Sequence, residues 1–251
     1  MNNINDFFIP ENYIDSVSEE DYRQAMYVVD TVKSYNRMIY QSAYVVDYFK
    51  RNFLYVSENP LFLCGMDPLE VMEKGYAFYF EHVPEDELEM LLEINRAGFV
   101  FFNKTPVNER LKLSISYDFH IRYMNSQLLI NHKLSPVRLA VNGNIWLAVC
   151  LVSLATKRNA GNIEAFIEGR DDFWTYSLEN RVWKKGIINK LQDRERDILL
   201  LAVQGYTVSQ IADKLFISKD TVKFHRKNLF KNLGVSSISE ALWVAAEKKM
   251  I

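Results

Sequence analysis

The sequence predicts an α+β protein: an N-terminal antiparallel sheet with helices, followed by a C-terminal all-α unit of four helices that contains a helix-turn-helix. Three observations carry this. Runs rich in Tyr, Val and Phe recur between residues 42 and 155, bounded by turn residues. Cap and stop residues divide 191–241 into short helices. Charge divides the same way: residues 190–251 hold eleven Lys and Arg against seven Asp and Glu, which leaves 1–189 at −6 in a chain of net charge −2. A basic module on an acidic body suits a nucleic-acid-binding tail attached to something else.

The chain has 251 residues, 49% hydrophobic and 25% charged, the balance of a soluble globular protein long enough for two domains. Residues 1–20 read as polar and irregular. In 21–40, Ala25, Met26, Val28, Val29, Val32, Tyr35 and Ile39 recur at helical spacing. That helix either closes the sheet of its own domain or pairs with a second copy of itself. Ser42–Phe49 and Asn52–Ser57 read as a β-hairpin, then Asn59–Asp67 as a short helix and turn, with further helical pieces to His82. Pro84 opens a longer helix to about Phe102, its first turn carrying Glu85, Asp86 and Glu87 against the positive end of the helix dipole. Three long strands follow, Leu113–Met124, Gln127–Ala140 and Ile145–Ala155. Asn142-Gly143 signals a hairpin between the last two, and Pro136 marks a sheet edge or a bulge. Residues 157–189 read as a linker with a hairpin, Ile163–Glu168 and Phe173–Trp183.

The C-terminal punctuation is denser. Gly205 closes a first helix by adopting the left-handed backbone that other residues avoid. Thr207 and Gln210 form a capping box for a second, with Ile211, Ala212 and Leu215 on its inner face. Ser218 caps a third and Gly234 ends it; Ser237 and Glu240 box a fourth. Only Phe216 and Ile217 separate the second helix from the cap of the third. That is helix-turn-helix spacing, from Thr207 to Arg226, and it lets the third helix lie in a DNA major groove. Val222, Leu229, Phe230 and Leu233 suit its buried stripe, leaving Lys223, His225, Arg226, Lys227 and Lys231 on the other face. From charge alone this face fits phosphate and guanine contacts or an ordinary solvated helix face equally well.

Residue order goes further. R-E-R-D-I-L-L-L-A at 194–202, G-Y-T-V-S-Q-I-A at 205–212, L-F-I-S-K-D-T-V-K-F-H at 215–225 and K-N-L-G-V at 231–235 resemble the LuxR-type DNA-binding domain along its length. The resemblance implies that Lys223, Phe224 and Lys227 face base edges, that Thr221, His225, Asn228 and Lys231 lie nearer the phosphates, and that the fourth helix pairs two copies. On that helix Leu242, Ala245 and Ala246 form an inner stripe, which leaves Trp243 and Val244 for a second, pairing surface or Trp243 to fold back onto the linker hairpin. Two positions depart from the family: Gln192 stands where Thr or Ser is usual and caps poorly, and Ile238 where Arg is usual.

F-L-Y-V-S-E-N-P at 53–60, G-M-D-P-L-E at 65–70 and H-V-P-E-D-E-L at 82–88, with the element order around them, resemble PAS sensor domains. The expected organisation is an N-terminal segment 1–41, a PAS-like domain 42–156, the linker 157–189 and the DNA-binding domain 190–251. The first 190 residues hold 29 of the 34 aromatics, enough to wall a ligand pocket, although most aromatics are core. Flavin-reactive PAS domains carry an N-C-R-F-L-Q type motif, which Cys64 in P-L-F-L-C-G-M does not match. Haem-binding members use an axial His, for which His82, His120 and His132 are the candidates.

Cys64 and Cys150 stand apart from any C-x-x-C pair and read as buried thiols in a reducing compartment. Asp30 and Asp47 are isolated, without the paired acidic residues of a phosphoacceptor domain. There is no phosphate-binding G-x-x-x-x-G-K-[ST] loop and no G-x-S-x-G elbow, and no enzyme is expected. No export signal is visible, and Ile145–Ala155, the longest apolar run, is too short to span a bilayer. The sequence therefore predicts a cytoplasmic homodimeric transcriptional regulator that binds double-stranded DNA, without a resident cofactor, with a small-molecule ligand and RNA polymerase as the further partners open to it. Two alternatives stand beside it: a PAS sensor bearing haem or flavin with a DNA-binding output, and a non-specific DNA-coating protein.

Overall fold

The computed structural model describes residues 4–123 and 126–251. The chain forms two compact units, one ending at Gly186 and the other running Ile187–Ile251.

In the first unit a helical turn at Ile4–Phe7 precedes α1 (Glu19–Asn36). Ser18 and Asp21 cap α1 reciprocally, so it starts before the expected residue 21 and ends before residue 40. Ala25, Val29 and Val32 pack into the core of this unit, while Met26 and Tyr35, expected on the apolar stripe, are exposed. The residues before α1 are less irregular than their polarity suggests. Phe7 and Ile14 are buried, and the Asn12 side chain donates to Ile145 O at 3.0 Å and accepts from Ile145 N–H at 2.9 Å.

Next come β1 (Ser42–Asp47), β2 (Asn52–Val56), α2 (Pro60–Leu63), α3 (Pro68–Lys74), α4 (Ala77–His82) and α5 (Glu85–Lys104). Asp47 is buried at the β1–β2 turn. It accepts from the Tyr22 hydroxyl at 2.6 Å and from the backbone of Phe49 and Lys50 at 2.9 and 3.1 Å, which makes it a turn-forming residue. Pro84 sits immediately ahead of the first turn of α5, and Leu88, Leu91, Ile94, Phe99 and Phe102 form its buried face.

The remaining strands are β3 (Leu113–Tyr123), β4 (Ser126–Leu139), β5 (Ile145–Leu154), β6 (Gly161–Ile167), β7 (Asp172–Ser177) and β8 (Val182–Ile187). Met124, expected in the first of these, lies outside the described residues. Pro136 marks a bulge: the β4–β5 register shifts between Pro136 and Arg138. The β4–β5 hairpin turns at Asn142-Gly143, where Gly143 takes φ +81°.

All the described strands form one sheet in the order β2-β1-β5-β4-β3-β6-β7-β8. The stretch expected as a linker thus extends the sheet, because β6 pairs antiparallel with β3 from Leu113↔Ile167 to Asp118↔Gly161. The expected arm Phe173–Trp183 is broken by a turn at which Arg181 adopts φ +50°, and it becomes β7 and β8.

The second unit consists of α6 (Asp193–Val203), α7 (Val208–Leu215), α8 (Lys219–Leu233) and α9 (Ile238–Glu247). Two small buried clusters hold it: Ile198, Ile211, Ala212 and Val222, then Leu199, Leu229, Ala241 and Ala245. On α9 the inner residues are Ala241 and Ala245, whereas Ala246, expected inside, is exposed. Ile238 packs against the second cluster, so an aliphatic side chain has a place at this position.

Candidate nucleic-acid interface

Each end of the helix-turn-helix is set by local chemistry. At the start of α7, Thr207 Oγ1 accepts from Gln210 N–H at 3.4 Å and Gln210 Oε1 accepts from Thr207 N–H at 2.9 Å. At the start of α8, Ser218 Oγ accepts from Thr221 N–H at 3.1 Å. Helices α6 and α8 close at Gly205 and Gly234, whose φ values of +87° and +66° suit a residue without a Cβ. The turn itself uses Phe216 at φ +55°, with Ile217 N–H bonded back to Ala212 O at 3.0 Å. An aromatic residue in that backbone region carries strain, and Phe216 is 94% exposed, so packing does not compensate. Phe216→Gly is expected to stabilise the unit by about 0.5–1 kcal/mol, read as a rise in the urea midpoint.

Gln192 precedes α6, and Glu195 makes good its weak capping. The Glu195 carboxylate accepts from Gln192 N–H at 3.2 Å and from Asn232 Nδ2 of α8 at 3.3 Å. Glu195 is buried, so it ties the start of α6 to the end of the third helix. At the start of α9, Ser237 Oγ accepts from Glu240 N–H at 3.2 Å, while the Glu240 carboxylate turns to Ser236 N–H at 2.8 Å in place of the expected Ser237 N–H.

With 15 residues, α8 is about 22 Å long, and its inward face is fixed by Val222 and Leu229, both fully buried. Lys223, Lys227 and Lys231 follow one another at four-residue steps and are all exposed, so they run along one ridge. Phe224 lies beside that ridge, 60% exposed, with its ring against His225 at 5.6 Å between centroids. Thr221, His225 and Asn228 are half-buried along its flank, and Thr221 Oγ1 is tied to Ser218 Oγ at 2.8 Å. Arg226 is half-buried, its guanidinium 5.8 Å from the Phe230 ring centre. Among the expected contact lysines, Lys223 has an ion pair, with Asp220 at 3.2 Å, and both partners are open to solvent. Such a pair is weak and yields readily to a phosphate. Two exposed cations left unassigned by the sequence reading border the turn: Lys214, over the Tyr206 ring at 4.5 Å, and Lys219, the first residue of α8. Trp243 and Val244 on α9 are half-buried.

The sensor candidates lie in the first unit and do not converge. His82 Nδ1 contacts Arg122 O at 3.3 Å, and His120 Nδ1 contacts Glu87 Oε1 at 2.6 Å. His132 is fully buried, its Nε2 bonded to the Tyr44 hydroxyl, which also meets Tyr79. Burial pushes the His132 pKa down to about 3, so the ring is neutral. Burial likewise pushes the Cys64 thiol up to about 12, far from a reactive thiolate. The aromatic interior is packed: Tyr44 stacks on Phe62 at 4.6 Å and Phe53 on Tyr76 at 5.3 Å. The space between α5 and β3–β4, beside Phe99 and Tyr117, is about 40 Å³. That is room for about one water, not for a small-molecule ligand.

A short turn between two capped helices, the second presenting a ridge of lysines, defines a helix-turn-helix nucleic-acid-binding module. Residues 189–245 match the family of bacterial regulatory proteins of the luxR type, and the C-terminal unit is a luxR-type helix-turn-helix domain. The nitrate/nitrite response regulator NarL of Escherichia coli K12 is 40% identical over 70 residues, 28% of this chain and 32% of that protein. The probable transcriptional regulatory protein SgaR of Hyphomicrobium methylovorum is 44% identical over 55 residues, 22% of this chain and 26% of that one. The matched segment thus spans about a third or less of the curated relatives' length. A solved Vibrio cholerae VqmA–ligand–DNA complex is 15% identical with a TM-score of 0.34, covering 88% of this chain and 89% of that one.

Proposed function

We propose that this protein is a cytoplasmic, non-enzymatic transcriptional regulator that binds double-stranded DNA sequence-specifically as a homodimer. The ridge of Lys223, Lys227 and Lys231 on a helix whose opposite face is anchored by Val222 and Leu229 carries this reading. In it, Lys223, Phe224 and Lys227 read base edges, while Thr221, His225, Asn228 and Lys231 hold the phosphates. The pairing surface is assigned to Trp243 and Val244 of α9, with most of the association supplied by the first unit. Residues 42–156 act as a PAS-like sensing or dimerising core, preceded by 1–41, continued by the strands within 157–189 and read out by 190–251. No described helix is long and apolar enough to cross a membrane.

Lys223→Ala and Lys227→Ala are each expected to weaken operator binding by about 1–3 kcal/mol and to narrow the gap between operator and random DNA. Lys231→Ala is expected to weaken all sequences alike and to reduce the salt slope by about one. Titration of labelled duplexes at several salt concentrations reads both. Equal losses on operator and random DNA for all three variants would remove the base-reading assignment.

A further inference from the structure

A second cavity lies in the first unit, between α5 and the outer strands β6–β8, well away from the packed aromatic interior. Its volume is about 540 Å³, within the range that holds a small organic ligand. Its floor is aromatic. The Phe101 ring lies 5.1 Å from Trp174 and 4.9 Å from Trp183 between centroids, and Trp183 lies 5.1 Å from Tyr176. The floor is also fixed: Trp183 Nε1–H donates to Ala97 O at 3.2 Å, and the Tyr176 hydroxyl donates to the Glu93 carboxylate.

The rim carries the opposite character. Arg96, Lys104, Arg170 and Arg181 line the cleft against a single lining carboxylate, Glu93. Two of the four are already engaged: Arg96 pairs with Glu93 at 2.6 Å and Arg170 with Glu109 at 2.6 Å. Lys104 and Arg181 are exposed, and neither has a carboxylate within ion-pair distance among the described residues. A positive rim is unexpected on this unit, because residues 1–189 carry a net charge of −6. Offset rings recognise a flat π-system, and a guanidinium or ammonium at its edge recognises a carboxylate. Neither half of the lining serves an extended aliphatic or cationic molecule as well.

We propose that this cleft binds a small planar aromatic carboxylate, with the ring laid on the floor formed by Phe101, Trp174 and Trp183 and the carboxylate toward Lys104 and Arg181. The test uses the full chain and two probes of the same shape, 2-naphthoate and neutral 2-naphthalenemethanol, by isothermal titration and tryptophan fluorescence. The expected result is saturable one-to-one binding of naphthoate with a change in tryptophan emission, at least tenfold tighter than the alcohol. Lys104→Gln/Arg181→Gln should weaken naphthoate about tenfold and leave the alcohol unchanged. Both side chains are exposed and make no close ion pair among the described residues, so the double variant should keep the parent's circular dichroism. No saturation at millimolar naphthoate, equal affinity for the two probes, or unchanged naphthoate binding in the double variant would overturn the proposal. So would tryptophan emission that follows protein concentration and ignores naphthoate, the mark of a second copy filling the cleft.

Discussion

Leu229→Ala is expected to unfold the C-terminal helices and leave the sheet unit standing. Leu229 is fully buried on α8, in the cluster it forms with Leu199, Ala241 and Ala245. Two of its three buried neighbours are alanines, whose short side chains cannot move in to fill the space a leucine leaves. Truncation of a buried leucine costs about 2–5 kcal/mol, and a four-helix unit of this size has little more than that in total. Hydrogen exchange on the full chain reads the result. Amides of α6–α9 should lose protection while those of β1–β5 keep theirs, and affinity should fall on operator and random DNA together. Equal loss of protection in both units would mean that they fold as one cooperative body.

The second large effect is on pH. His132, on β4, is buried on one face of the sheet among Tyr44, Tyr117 and Phe119, and its Nδ1 has no hydrogen-bond partner among the described residues. The titratable groups of the same interior, Tyr44, Tyr79, Tyr117 and Cys150, are all raised by burial and stay neutral. None supplies an anion to stabilise an imidazolium. The folded pKa, about 3, lies below the ordinary value of 6.5. The unfolded chain therefore takes up a proton below pH 6.5 that the folded chain refuses. The contribution is fully present above pH 6.5 and is lost as pH falls from 6.5 toward 3, at about 1.4 kcal/mol per pH unit. Between pH 7 and 5 this amounts to roughly 2 kcal/mol. Urea midpoints of the first unit should fall by that amount in the parent and by distinctly less in His132→Gln, which carries no titrating ring. Parallel pH profiles for the two proteins would show that His132 titrates in the fold as it does in water.

What the sequence made legible was what local chemistry decides. Ser218, Thr207, Gly205 and Gly234 act within three or four residues of the backbone groups they satisfy, so the helix-turn-helix could be read to within a residue or two. The lysine ridge follows from helical spacing once those ends are known. Long-range pairing was not legible. Nothing near 161–167 says that this strand will pair with β3, and so the residues after 156 read as a linker. The Asn12–Ile145 pair that anchors the N-terminal segment is hidden for the same reason. The left-handed backbone at Phe216 is also invisible in the sequence, because that conformation ordinarily selects Gly or Asn and an aromatic side chain does not announce it. Aromatic abundance could not tell a walled pocket from a filled core. The packing of Tyr44, Phe62 and Tyr76 fills the interior and leaves the larger cavity at the outer strands.

Selection from a random pool of duplex DNA by the full-length protein, followed by sequencing of the bound fraction, tests the central claim most directly. The account predicts an enriched site made of two related half-sites whose centres lie about 10–10.5 base pairs apart, one for each α8 of a dimer. It also predicts that Lys223→Ala and Lys227→Ala relax base preference within each half-site. A bound pool with the same base composition and spacing statistics as the input would contradict sequence-specific recognition by this helix.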